Sequence, residues 1–170
     1  MDEMMNNSPT ALNKRGTKIE KWGEKWDSQK ELDFYERFLL GVVKPDNLSI
    51  HPHFTLCEKT TVEQGAVINS IKYTPDFVVY DDFKHILHVY DVKNSFGVYG
   101  IDQGNKLTFR LFAMKMGVPV EAVVVRKHDF KAACIGVTKQ LNLTGKAQTP
   151  KPIVKTDPFY NWMEATNYQH

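Results

Sequence analysis

The sequence predicts an α/β sandwich built on a mixed central sheet. Three observations carry that expectation. Hydrophobic patterning runs helix, three strands, helix, strand and then a further helix. A helical stretch lies between two strand-like runs, and such a crossover returns the chain parallel to the strand it left, while a short turn earlier in the chain joins two strands antiparallel. Finally, 170 residues with 42% hydrophobic and 25% charged composition fit one globular domain with a sizeable core.

Residues 1–25 are polar, without sustained periodicity, and read as a flexible leader whose Trp22 and Trp26 begin to pack down on a core. In SQKELDFYERFLLGVV, from Ser28, Leu32, Tyr35, Leu39 and Val42 recur at helical spacing, and Pro45 ends the helix. Three strands follow, LSIHPHFTLCE, SIKYTPDFVVY and HILHVYDVK, the last two joined by a short turn at Asp81 to Lys84. GNKLTFRLFAMKMG supplies a second helix stopped by Gly117, and VEAVVV is a short apolar run suited to a strand buried on both faces. HDFKAACIGVTKQL reads as a closing helix, with Asp129 near its start. The reading therefore divides the chain into a leader (1–25), one domain (26–143) and a linker with an aromatic tail (144–170) that docks on the core, a second subunit or another protein.

Composition narrows the function classes. Twenty-two Lys and Arg against twenty Asp and Glu give a formal charge of +2, so a polyanion site has to be a local patch. Apolar runs fall well short of the roughly 18 residues of a membrane span, and the N-terminus lacks a secretion-signal pattern, which points to the cytoplasm. Cys57 and Cys134 lie in apolar surroundings without C-x-x-C spacing and read as buried thiols.

The chemistry concentrates in YTPDFVVYDDFKHILHVYDVK. A simple hairpin centred on Asp82 to His85 sets Tyr80 opposite Leu87, Val78 opposite Val89 and Asp76 opposite Asp91. Opposed carboxylates about 5 Å apart repel unless something positive lies between them. A divalent cation fits that need. Lys93, two residues beyond Asp91, projects from the same face. On the first helix, Glu31 heads the stripe that holds Tyr35, Phe38 and Val42, and Ser28 to Glu31 also spell a capping box. The two roles are compatible. Oxygen ligands of this kind suit Mg²⁺ and a phosphate substrate. The plain alternative is that Asp76 and Asp91 are solvated strand-end residues neutralised by Lys93.

Pro75-Asp76, fourteen intervening residues, Asp91-Val92-Lys93 and the preceding helix glutamate Glu31 together resemble the PD-(D/E)XK nuclease superfamily, as does the element order over about residues 26–127. WDSQKELDFYERFL, IHPHFTL and YTPDFVVY are similar to small phage endonucleases, in particular endonuclease I-type Holliday-junction resolvases, with transposon nuclease subunits as further relatives by pattern. The resemblance implies a restriction-endonuclease-like αβββαβ core. It also implies that Asp76, Asp91 and the carbonyl of Val92 ligate Mg²⁺ or Mn²⁺, that Glu31 completes the site directly or through water, and that Lys93 is the catalytic lysine. One departure is that Asn94-Ser95-Phe96 precede Gly97, where many relatives have glycine straight after the lysine.

The function so implied is a metal-dependent endodeoxyribonuclease of phage type acting on branched or recombining DNA in the host cytoplasm, and a homodimer by the resolvase likeness. The alternatives are a transposon-type nuclease subunit and a non-catalytic DNA-binding protein that retains the fold. Lys106 and Arg110, four apart on one helix face, with Lys72, Lys14 and Arg15, are the expected phosphate contacts. His51 and His53 are expected on one strand face at the surface or on the DNA side, with no third zinc ligand nearby.

Overall fold

The structure, a computed structural model, describes residues 18–137 and 152–166. Its first element is a hairpin of β1 (Ile19–Lys21) and β2 (Glu24–Trp26), in the stretch read from sequence as leader. Trp22 and Gly23 both take left-handed φ values, +61° and +77°, the condition of a tight two-residue hairpin turn. Trp26 at its end is wholly buried and donates its indole N–H to the Lys21 carbonyl at 2.9 Å.

Ser28 caps α1 (Gln29–Phe34), which runs on into a π-helical turn, Tyr35–Leu39. The chain leaves the helix at Leu40, and Gly41 follows with φ +74°, so the helix ends before Pro45, which instead opens a 3₁₀ turn. The wider turn also rotates the buried stripe. Leu32, Phe34, Phe38 and Leu39 face the core, whereas Val42 is exposed and Val43 takes the inward place.

The expected first strand is divided between two sheets. β3 (Leu48–Ile50) joins the central sheet, while β4 (Phe54–Cys57) pairs with β7 (Ile71–Tyr73) in a small separate ribbon. Between them, β5 (Thr60–Thr61) and β6 (Val67–Ile68) form a short hairpin. β8 (Phe77–Tyr80) and β9 (Ile86–Val92) make the antiparallel pair at the centre, with Phe77 opposite Tyr90 and Val78 opposite Val89. A bulge then sets Tyr80 against Ile86 instead of Leu87.

Asp102 caps α2 (Gln103–Met116), accepting from the Asn105 amide at 2.7 Å, and Gly117 closes it in the left-handed conformation. The helix crosses over to β10 (Glu121–Val125), parallel to β9 as a crossover requires. The closing helix expected after Asp129 is a strand, β11 (Phe130–Cys134), hydrogen-bonded on both edges, to β10 and to β12 (Ile153–Lys155). Asp129 belongs to the β10–β11 turn, where its carboxylate takes two bonds from Arg126, at 2.5 and 2.8 Å. A final short helix, α3 (Trp162–Ala165), packs its Ala165 into the core.

The central sheet thus has the order β12-β11-β10-β9-β8-β3, mixed in direction, with helices on both faces. One face packs Trp26, Leu32, Phe34, Phe38 and Leu39 against Phe77, Tyr90 and Phe130. The other packs Phe109 and Phe112 of α2 against Val78, Val89 and Ala122. Cys134 is buried as expected; Cys57 is exposed. Among the described residues no helix is long and apolar enough to cross a membrane.

Candidate metal centre

The site lies where β8 starts, β9 ends and α1 begins. Extending the β8–β9 register by one pair puts Asp76 opposite Asp91, and the Asp76 amide donates to the Tyr90 carbonyl at 3.1 Å. Asp76 Oδ2 accepts the Val92 N–H at 2.5 Å. Asp91 is buried; its Oδ1 meets Lys93 Nζ at 2.8 Å and its Oδ2 accepts the Tyr73 hydroxyl at 2.8 Å. Lys93 therefore shares the Asp91 face, as period-two alternation requires. Its backbone amide bonds to the Val123 carbonyl at 2.7 Å, and its ammonium stands 3.4 Å from Asn105 Oδ1 and 5.8 Å from the Phe109 ring centre.

Glu31 fills both roles considered for it. The capping box forms, with Ser28 Oγ accepting the Glu31 amide at 3.2 Å and Glu31 Oε2 accepting the amides of Asp27 and Ser28 at 2.8 and 3.3 Å. The side chain is almost wholly buried, and Oε1 partners Nε2 of His51. Glu31, Asp76, Asp91, Val92 and Lys93 all line one pocket of about 230 Å³.

Electrostatics mark the cluster as short of positive charge. Burial, followed by the charges of Asp91 and Glu31, pushes the Asp76 carboxyl well above its usual value, against the opposing effects of the Val92 amide and Lys93. The Tyr73 hydroxyl is likewise raised by burial and by Asp91. His51 is raised by its hydrogen bond to Glu31, with burial opposing.

Among the described residues, the trio whose potential ligand atoms all lie within 4.8 Å of one another is Glu31, His51 and Asp76. His51 was expected at the surface on a strand face shared with His53. It is instead half-buried in the connection after β3, whereas His53 is exposed and bonds Thr74 Oγ1 at 2.7 Å. The missing signal was strand pairing. Ile50 lies opposite Phe77, so the next pair outward is His51 and Asp76, and the His51 amide donates to the Asp76 carbonyl at 3.0 Å. His51 and Asp76, each one step outside its strand, thereby fall in a row with Asp91, the penultimate residue of β9.

Of the expected phosphate contacts, Lys106 and Arg110 lie on α2 and line a shallow depression of about 760 Å³. Lys72 is exposed on β7, and Lys14 and Arg15 lie outside the described residues.

In comparison with known proteins, the family model described as "Protein of unknown function (DUF1064)" matches residues 13–118, more than half of the chain. No curated protein matches. No solved structure matches either.

Proposed function

The chain belongs to the DUF1064 family, whose description names no activity, and from the geometry of the site we propose that it is a metal-dependent endonuclease that hydrolyses DNA phosphodiester bonds. The observation that carries this reading is the convergence of buried Glu31, half-buried Asp76 and buried Asp91 around one pocket with Lys93 bonded to Asp91. The element order α1, β3, β8, β9, α2, β10 supports a restriction-endonuclease-like core, the fold that the PD-(D/E)XK resemblance implies.

The donor set fits a hard divalent cation. Four carboxylates, Asp27, Glu31, Asp76 and Asp91, line the pocket with two lysines, Lys30 and Lys93, which leaves excess negative charge, and carboxylates withdrawn from water are paired or hold metal ions. Glu31 and Asp76 would hold the ion, with Asp91 and the Val92 carbonyl beside them. When bound, such an ion polarises a phosphate oxygen and lowers the pKa of an attached water.

The chain's own residues arrange the rest. Asp91 and Asn105 fix the Lys93 ammonium over the pocket, where it stabilises negative charge developing on a phosphate or orients the attacking water. Ser28 and the α1 backbone fix Glu31. Tyr73 holds Asp91 from the side of the small ribbon. Lys106 and Arg110 position the DNA backbone without reading sequence. Branched DNA and a homodimer are the substrate and assembly that the resolvase likeness implies.

The test is cleavage of four-way junction, duplex and single-stranded DNA by the purified chain with Mg²⁺, Mn²⁺ or chelator. Metal-dependent scission is expected, reduced at least about a hundredfold by Asp76→Asn and by Lys93→Ala, the scale of losing one preorganised transition-state contact. Cuts that persist in chelator or in both variants overturn the reading. Binding without scission in every metal makes the protein a DNA-binding module.

A further inference from the structure

We propose that His51 is a direct metal ligand, and that its nitrogen makes this site favour Mn²⁺ over Mg²⁺. The inference rests on the metal-centre reading of the same pocket and adds to it the choice of ion. His51 Nε2 and Glu31 Oε1 already point at each other, and with an Asp76 oxygen they form a set of ligand atoms no more than 4.8 Å apart. A cation taken up by that set sits between donors that are now bridged by a hydrogen bond.

Donor chemistry sets the preference. Mg²⁺ demands near-ideal octahedral geometry, favours oxygen, and keeps several waters. Imidazole is a ligand of first-row transition ions, and Mn²⁺, although the weakest binder of that series and at home with carboxylates, tolerates one nitrogen among oxygens better than Mg²⁺ does. Placement also favours ligation over a surface role. The imidazole stands edge-on to the buried Trp26 ring with centroids 6.0 Å apart, and the His51 amide is tied to the Asp76 carbonyl. The ring is thereby packed against Trp26 of β2, and the His51 backbone is tied to the residue just before β8. His53, two residues on, is an internal control, bonded to Thr74 and outside the trio.

The experiment is titration of the metal-free full-length protein, without DNA, by MnCl₂ and by MgCl₂ in a calorimeter, with pulsed electron paramagnetic resonance of the Mn²⁺ complex. The expected result is Mn²⁺ binding at least about tenfold tighter than Mg²⁺, the scale on which metal-site residues tune affinity, and a ¹⁴N coupling of a directly bound imidazole. His51→Ala and His51→Gln should each remove that coupling and most of the Mn²⁺ advantage, weakening Mn²⁺ binding more than Mg²⁺ binding. His53→Ala should change neither.

A Mn²⁺ complex of the wild-type protein without ¹⁴N coupling overturns the proposal, with no variant needed. An affinity ratio unchanged in His51→Gln also overturns it. The nuclease reading fails separately. Ligation through nitrogen with no scission of any DNA defeats that reading and supports this one, whereas scission with equal use of both ions and no coupling defeats this one alone.

Discussion

Asp76 is half-buried beside two other carboxylates, and its raised carboxyl fixes the sign of a pH effect on the metal-free protein. The folded state keeps a proton there that the unfolded chain releases near its ordinary pKa. Stability is therefore fully present below about pH 4 and falls as pH rises through the elevated folded value. Asp76→Asn retains an acceptor for the Val92 amide but carries no charge. Denaturant melts of the metal-free protein should find the variant more stable than wild type at pH 8, by on the order of 1 kcal/mol, and equal to it near pH 4. Wild type more stable at both pH values would contradict the charge-crowding account. The spacing of Asp76, Asp91 and Lys93 was legible in sequence because strand alternation is local. Glu31 was legible because a capping box is. His51 was not, since its neighbour Asp76 lies far along the chain and only the β3–β8 pairing sets the two side by side.

Elements whose identity depended on nearby residues were the easier ones to read. Ser28 and Glu31 announce α1, and removing the cap tests how far the helix start supports the site. Ser28→Ala should cost about 1 kcal/mol in a thermal or denaturant melt and also weaken Mn²⁺ binding, because Glu31 loses the bond to its amide that helps hold it. A loss of stability with unchanged Mn²⁺ affinity would separate the cap from the site. β11 misled because Phe-Lys-Ala-Ala-Cys is short and apolar, and periodicity alone does not tell a buried strand from a helix segment; pairing with strands on both sides decides it. The split of LSIHPHFTLCE into β3 and β4 has a similar cause. His51 takes left-handed φ, +49°, at the point where the chain leaves one sheet for another, a conformation uncommon outside glycine though more frequent for His than for most residues.

Across the whole molecule, the C-terminal segment closes the sheet on the side away from α2. β12 adds the outer strand, and Tyr160 donates its hydroxyl to Glu121 Oε1 at 2.8 Å, while His88 Nδ1 meets Oε2 at 2.6 Å. Glu121 is wholly buried, so Tyr160→Phe, which leaves an oxygen without its donor, should cost about 1–3 kcal/mol in a denaturant melt and leave metal affinity intact. The aromatic tail is thus in part a piece of the core, with Tyr160 and Trp162 packed inward and Phe159 left exposed. The proposed DNA binding belongs to the same scale. Lys106→Ala or Arg110→Ala should each lower the slope of log affinity against log salt by about 1 if the residue meets phosphate. The three tryptophans also occupy different surroundings. Trp22 is mostly in water, Trp162 is on the closing segment, and Trp26 is fully enclosed with the His51 ring as its neighbour. The buried indole is therefore a built-in optical gauge. Its emission should be blue-shifted by its dry setting, and a paramagnetic ion taken up at the adjoining imidazole, as proposed, should quench it, so that occupancy would be followed by fluorescence without attaching a dye.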